Sequence, residues 1–380
     1  MKENSVGLTT TQYFKINASL ALDNHENLEE VTIAYETYGK LNSQRNNTIL
    51  ICHALSGDAH AAGFHAGANK PGWWEIMVGP GKAIDTNKYF VICSNILGSC
   101  MGTTGPSSID KQTGKPYGLR FPVITISDMV KSQKALLDHL EIPILLAVIG
   151  GSIGGMQTLE WSIRYPELVF SAVPLATTQR HSALAIAFNE VARQSIMADP
   201  NWQNGDYYQS KKPDLGLAVA RMIGHITYLS DEAMRNKFGR RLQDKKDFSF
   251  NFDADFQVES YLRYQGKKFV ERFDANSFLY ITKAADYFDL SRQPVDSSDS
   301  LTFARARAKY LVVSFTSDWL YPTRESKAMV KAMKKNNLDV SFCEIAAPWG
   351  HDAFLLKNER LETLLGGFLS RMSQELKDAF

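Results

Sequence analysis

VIGGSIGGMQ, residues 148–157, sets four glycines around one serine directly after the apolar run ILLAV. Glycine-rich turns of this kind either cradle a phosphate or display a nucleophile, and the two uses differ in spacing. A dinucleotide-binding turn needs glycines at its first, third and sixth positions. Ser152 or Ile153 falls where the second of these must be, in either register. A P-loop needs a lysine before its Ser/Thr, and the stretch has none. Gly150-Gly151-Ser152-Ile153-Gly154 does fit G-x-S-x-G, the nucleophile elbow, with a strand before it and a helix after it. Small neighbours are needed there because the serine occupies a strained turn pressed against adjacent backbone. The N–H of Ile153, at the helix N-terminus, is then placed to meet a developing oxyanion.

A serine hydroxyl is a poor nucleophile until a base takes its proton, so the elbow predicts an acid and a histidine further along, each after a later strand. KYLVVSF runs into TSDWLYP, which puts Asp318 just beyond a strand, and VSFCEI runs into AAPWGHDAFL, which puts His351 on the next strand–helix loop. The order Ser152, Asp318, His351 is the one this architecture demands. His351 would accept the serine proton, and Asp318 would fix its tautomer. HALSGDAH follows the early strand NTILIC, so its loop is expected to supply a second oxyanion N–H, assigned to Leu55. His53, His60 and His65 invite a zinc reading, but no HExxH-type helix or matching acid accompanies them, and structural roles are expected; the metal assignment is none. Trp73 and Trp74 are read as packing residues.

The wider pattern is α/β. VTIAYETYG (31–39), NTILICHAL (47–55) and KYFVICSN (88–95) read as strands. SDMVKSQKALLDHLEI reads as a helix with Ser127 or Asp128 as N-cap. Strand and helix then alternate through ILLAVIG, GMQTLEWSIRYP and VFSAVPLAT, and again from KYLVVSF (309–315) to the end. Between them helix-like segments dominate, among them LAIAFNEVARQSIM, LGLAVARMIGHITYL and an aromatic run from SYLRYQG to AADYF. Buried strands alternating with helices predict a mostly parallel sheet flanked by helices, and together with the nucleophile elbow they fit an α/β-hydrolase fold. Residues 1–178 and 296–380 would form the core, and 179–295 a helical lid insertion.

Composition narrows the class. Of 380 residues, 44% are hydrophobic and 22% charged, and 42 basic against 41 acidic side chains leave a formal charge of +1. Such a balance gives no electrostatic reason to expect nucleic acid or an anionic membrane as partner. Four cysteines without CxxC spacing, no leader pattern in MKENSVGLTTTQYFK and no apolar run near the roughly 20 residues of a membrane span predict a cytoplasmic protein.

The triad specifies acyl transfer through a covalent ester without naming the acceptor. CHALSGDAHAAG, PGWWEIMVGPGKAIDT, SNILGSCMGTTGPSSI, GHITYLSDEAM, FQVESYLRYQG and RFDANSFL, together with the three triad segments, resemble the homoserine O-acetyltransferases of methionine biosynthesis over nearly the whole chain. The resemblance implies a ping-pong enzyme without a permanently bound cofactor: acyl-CoA as co-substrate acylates Ser152, and L-homoserine takes the acyl group. It implies a homodimer. It places Arg221 on the amino-acid carboxylate and Asp352 on the ammonium, roles that a guanidinium fork and a carboxylate suit. Succinyl-using relatives carry a basic residue two positions after the triad aspartate. Here that position is Leu320, where a succinyl carboxylate would be buried unpaired, so acetyl-CoA is the expected donor. Succinyl-CoA is the alternative, since GPGKAIDTNKYF and KPGWW resemble those relatives as closely, with Arg324 as the basic side chain that would have to reach the site. Serine O-acyltransfer and a carboxylesterase are the remaining rivals.

Overall fold

Eight strands make one sheet in the computed structural model, which describes residues 4–291 and 303–379. They are β1 (Gln12–Lys15), β2 (Thr32–Tyr38), β3 (Thr48–Cys52), β4 (Phe90–Ser94), β5 (Ala147–Gly151), β6 (Ser171–Leu175), β7 (Lys309–Phe315) and β8 (Val340–Ile345), in the spatial order β1-β2-β4-β3-β5-β6-β7-β8. From β4 to β8 all neighbours are parallel; β1, β2 and β4 pair antiparallel. TILIC, AVIGG and SAVPL are buried at every residue, because helices cover both faces. Leu50 and Val148 face one layer, with α1 (Ile126–His139) and α2 (Ile153–Arg164); Ile49, Ile51 and Ile149 face the other, with α9 (Glu359–Asp378). The two-residue alternation of a strand thus feeds two separate apolar clusters.

The helix-rich stretch after β6 forms α3 (Ala183–Met197), α4 (Asp214–Tyr228), α5 (Asp231–Lys237), α6 (Gln257–Val270) and α7 (Ala275–Tyr287), with α4 packed on α3 and α6; α8 (Thr323–Lys335) then joins β7 to β8. The aromatic run divides where Asp274 caps α7, accepting from the Ser277 amide at 2.8 Å. The expected boundary between lid and core, at 295 and 296, lies outside the described residues.

Two readings need correction. The N-cap of α1 is Thr125, rather than Ser127 or Asp128: its hydroxyl accepts from the Asp128 amide at 3.2 Å while Asp128 Oδ2 accepts from the Thr125 amide at 3.0 Å. Asp128 is the third-position partner of a capping box, so the helix begins two or three residues earlier than expected. Strand β1, QYFK, was not anticipated; it is an edge strand, mostly exposed, so its side chains carry little apolar alternation.

The turn from β5 into α2 is packed without spare room. A Cβ on Gly154 would lie 2.0 Å from the Cys52 carbonyl oxygen at the end of β3, and one on Gly150 would lie 2.2 Å from the Gly154 carbonyl. Gly154→Ala is therefore expected to destabilise the protein by more than about 2 kcal/mol, since backbone on both sides must shift. Gly367→Ala, where a Cβ meets nothing within 4 Å on an exposed face of α9, should be neutral or stabilise by up to about 1 kcal/mol. Thermal unfolding of the two variants beside the parent checks the contrast.

Candidate active site

Ser152 has φ 59° and ψ −125°, a conformation that L residues rarely adopt and that costs roughly 1–3 kcal/mol. The surrounding structure holds it there. Its amide donates to the Leu175 carbonyl at 3.0 Å, and its own carbonyl accepts from Thr177 Oγ1 at 2.8 Å and from the Gly155 amide at 2.9 Å. Although it stands at the N-cap of α2, its side chain makes no capping hydrogen bond, so the hydroxyl is not spent on the helix. Ile153 is the first residue of α2, among those whose N–H groups a helix leaves unpaired.

Asp318 and His351 come from the loops after β7 and β8. Asp318 Oδ1 accepts from the amides of Leu320 and Tyr321 at 3.0 and 2.9 Å, and Oδ2 lies 2.8 Å from His351 Nδ1. Both side chains are buried, to 0% and 3% exposure. The carboxylate thereby holds the ring proton on Nδ1 and leaves Nε2 as the basic nitrogen. Gly350, at φ +75°, carries the chain into this position past the Ser230 amide, where a Cβ would clash. Its own amide donates to Ser317 Oγ at 2.9 Å and ties the two loops together. Burial works to lower the His351 pKa, but the charge and hydrogen bond of Asp318 outweigh it and hold the imidazole above its ordinary value.

Ser152 and His351 share neighbours. Tyr321 lines the cavity with Ser152 and packs edge-on to the His351 ring, centroids 5.1 Å apart. The Phe354 ring fills the space where a Gly151 side chain would be, and lies 5.8 Å from the His351 ring. Trp74 braces Phe354 from behind, its Nε1 donating to the Phe354 carbonyl at 3.0 Å; the tryptophan pair does pack.

Above Ser152 lies a small cavity of about 50 Å³, floored by Leu55, Ser152 and Ile153 and walled by α3, α4, Leu320 and Tyr321. Among the described residues, no lysine or arginine lines it. Arg324 stands on α8 with 74% of its side chain exposed, 3.7 Å from Glu325, and is not part of the wall. Arg221, on α4, lies with its guanidinium 4.7 Å from the Phe269 ring centre and donates to Ser56 Oγ at 3.4 Å. Burial raises the Asp352 pKa, opposed by His351 and Arg221. Among the described residues no ion pair within 4.0 Å engages either Arg221 or Asp352. Both lie outside the lining of the cavity itself.

Sequence reasoning missed Glu36, His181 and Tyr321. Glu36, on β2, is the acid that matches His60 and His65, and the three offer ligand atoms within 4.8 Å of one another. Four donors already meet its carboxylate: Thr11 at 2.9 Å and His65 at 2.6 Å on one oxygen, Tyr38 and His60 at 3.0 Å on the other. Burial pushes its pKa up, but the hydrogen bonds of His60 and His65 win and hold it at about 2. That saturation supports structural roles for the two histidines. His53 is fully buried and accepts from the Ile96 amide at 3.0 Å.

A family model described as the alpha/beta hydrolase fold matches residues 47–358. The chain is 62% identical over 372 residues to the homoserine O-acetyltransferase of Solidesulfovibrio magneticus, with 97% of this chain and 94% of that protein covered. Among solved structures it is similar to homoserine O-acetyltransferase from Bacillus anthracis (TM-score 0.89, 30% identity, 95% of this chain and 98% of that one). Esterase E22 is similar to the same degree (TM-score 0.88, 31% identity, 95% and 100%).

The buried pair sets an expectation for titration. With Asp318 in place, His351 should lose its proton above the ordinary 6.5; in Asp318→Asn the larger raising charge and its hydrogen bond are gone and burial is opposed only by the charge of Asp352, so the value should fall. Nitrogen NMR of the ring in both proteins measures it, and a titration that the substitution leaves in place would contradict the pairing.

Proposed function

This chain belongs to the homoserine O-acetyltransferase family of α/β hydrolases, and from that premise we propose that it transfers an acetyl group from acetyl-CoA through an ester on Ser152 to the hydroxyl of L-homoserine. The observation that carries the reading is a cavity over a strained serine with no lysine or arginine among its described lining residues, and, outside that lining, Arg221 and Asp352, neither of them in an ion pair among the described residues.

His351 Nε2 takes the Ser152 proton as Oγ attacks the thioester carbonyl, and the N–H groups of Leu55 and Ile153 receive the oxyanion. Collapse expels the CoA thiolate, which leaves with the proton held by His351. The homoserine hydroxyl then gives its proton to the same nitrogen and attacks the ester; the second collapse returns that proton to Ser152. Arg221 and Asp352 hold the carboxylate and the ammonium of homoserine, which places its hydroxyl against the ester. Leu320 and the cation-free wall support acetyl over succinyl, because a buried distal carboxylate would find no partner there.

Hydrolysis would use the same three residues, and the likeness to an esterase marks it as the side reaction to be suppressed. Residues 179–295 are assigned to a lid that narrows access for water; the contribution of α3 and α4 to the cavity wall supports this. A homodimer is supported by apolar side chains exposed on α3 and α4, among them Val191 at 57% and Leu215 at 76%. A cytoplasmic location is supported by four free cysteines.

Intact-mass spectrometry after mixing with acetyl-CoA should show one acetyl increment, absent from Ser152→Ala, that homoserine discharges as O-acetylhomoserine. Discharge by water at an equal rate would replace transferase with esterase. Arg221→Ala and Asp352→Asn should each raise the homoserine KM about tenfold or more, the worth of a charge-assisted hydrogen bond, while acylation by acetyl-CoA stays near the parent rate.

A further inference from the structure

Two arginines, one on α4 and one in the link between α6 and α7, converge on Ser56, the residue after Leu55. Arg221 Nη1 donates to Ser56 Oγ at 3.4 Å, and Arg272 Nη1 donates to the Ser56 carbonyl at 2.9 Å. Their guanidinium carbons lie 4.7 and 5.3 Å from the centre of one ring, that of Phe269. Arg272 is exposed, so its remaining N–H groups face accessible space.

The surrounding acids do not neutralise this pair by contact. Asp58 acts on Arg272, and Asp352 on Arg221, through charge alone. Among the described residues no ion pair within 4.0 Å engages Arg272 or Arg221. Glu271, the chain neighbour of Arg272, lies 3.1 Å from Lys268, and the Asp274 carboxylate accepts from the hydroxyls of Tyr207 and Tyr208. The Cys100 thiol, pushed up to about 11 by burial, is neutral and supplies no anion. Desolvation and the charge of Arg221 both work to lower the Arg272 pKa. Two guanidiniums stacked on one aromatic ring repel each other, and an anion that both can touch relieves the repulsion.

We infer that Arg272 is a second cation for the acceptor's α-carboxylate, which it grips together with Arg221. The inference rests on the proposed reading that L-homoserine discharges the ester on Ser152. A carboxylate offers about four lone-pair sites on two oxygens, so one guanidinium fork leaves room for a second donor. Such a clamp favours an amino-acid acceptor over water without touching the acyl group. The rival role is mechanical. Residues 54–57 form a turn in which the Gly57 amide donates to the Ala54 carbonyl at 3.0 Å, and Arg272 holds that turn through Ser56. A purely mechanical Arg272 would serve the Leu55 N–H, and with it every discharge of the ester alike.

The experiment forms the acetyl-enzyme with acetyl-CoA, removes excess donor, and follows loss of the acetyl increment by intact mass with and without L-homoserine. It compares the parent, Arg272→Gln and Arg272→Lys. Water and homoserine attack the same ester over the same oxyanion donors, so the ratio of their rate constants is independent of how much of each sample is folded. Arg272→Gln should lower the homoserine-to-water ratio about tenfold, the worth of one charge-assisted hydrogen bond. Arg272→Lys keeps the charge without the fork and should lower it about threefold. A ratio that stays at the parent value, with both discharges slowed alike, would overturn the inference and leave Arg272 a positioning residue for Leu55. A ratio that falls as far in Arg272→Lys as in Arg272→Gln, or failure of both variants to form the ester, would overturn it as well. A parent ester that homoserine does not discharge would instead overturn the reading on which the inference rests.

Discussion

The close approach of α2 to the end of β3 is the constraint from which the rest of the site follows. Because Gly154 sits against the Cys52 carbonyl, the chain must turn from strand to helix within one residue, and that residue is Ser152 with its positive φ. The same turn puts the helix N-terminus beneath the cavity and spends the serine's backbone groups, rather than its hydroxyl, on holding the conformation. Loops after β7 and β8 then need only bring a base and an acid to a point the sheet has already defined. Parallel topology does this automatically, since every one of these loops leaves the sheet at the same edge.

Much of this was legible because it depends on short-range rules. The apolar runs KYLVVSF and VSFCEI became β7 and β8 with the expected bounds, and the order of serine, acid and histidine could be read from the loops that follow. What escaped was long-range. Glu36 meets His60 and His65 only because β2 lies beside the loop after β3, and nothing in a strand sequence marks such an acid. His181 sits in a polar stretch without periodicity, 105 residues from Asp286 and 140 from Tyr321. The N-cap of α1 was misplaced for a local reason: two plausible caps followed the true one, and the box formed by Thr125 and Asp128 decides between them.

The site also separates two kinds of polarity. Asp318 and His351 form a buried dyad with each carboxylate oxygen satisfied. Arg221 and Asp352 lie outside the cavity lining and in no ion pair among the described residues; under the proposed function a zwitterionic ligand would complete both at once. The cavity over Ser152 is itself mostly apolar. Under the proposed function, apolar surroundings of this kind would strengthen the oxyanion contacts.

The tie between Trp74 and Phe354 spans 280 residues, and its position in the chain bears on biosynthesis. Synthesis proceeds from the N-terminus, so the elbow serine emerges from the ribosome long before residues 318 and 351 exist. Through most of translation the nascent polypeptide therefore carries a hydroxyl without its base, unreactive toward the thioesters around it. Under the proposed function, chemical competence would arrive only when the last parallel strand docks, which would make completion of the sheet the event that arms the enzyme.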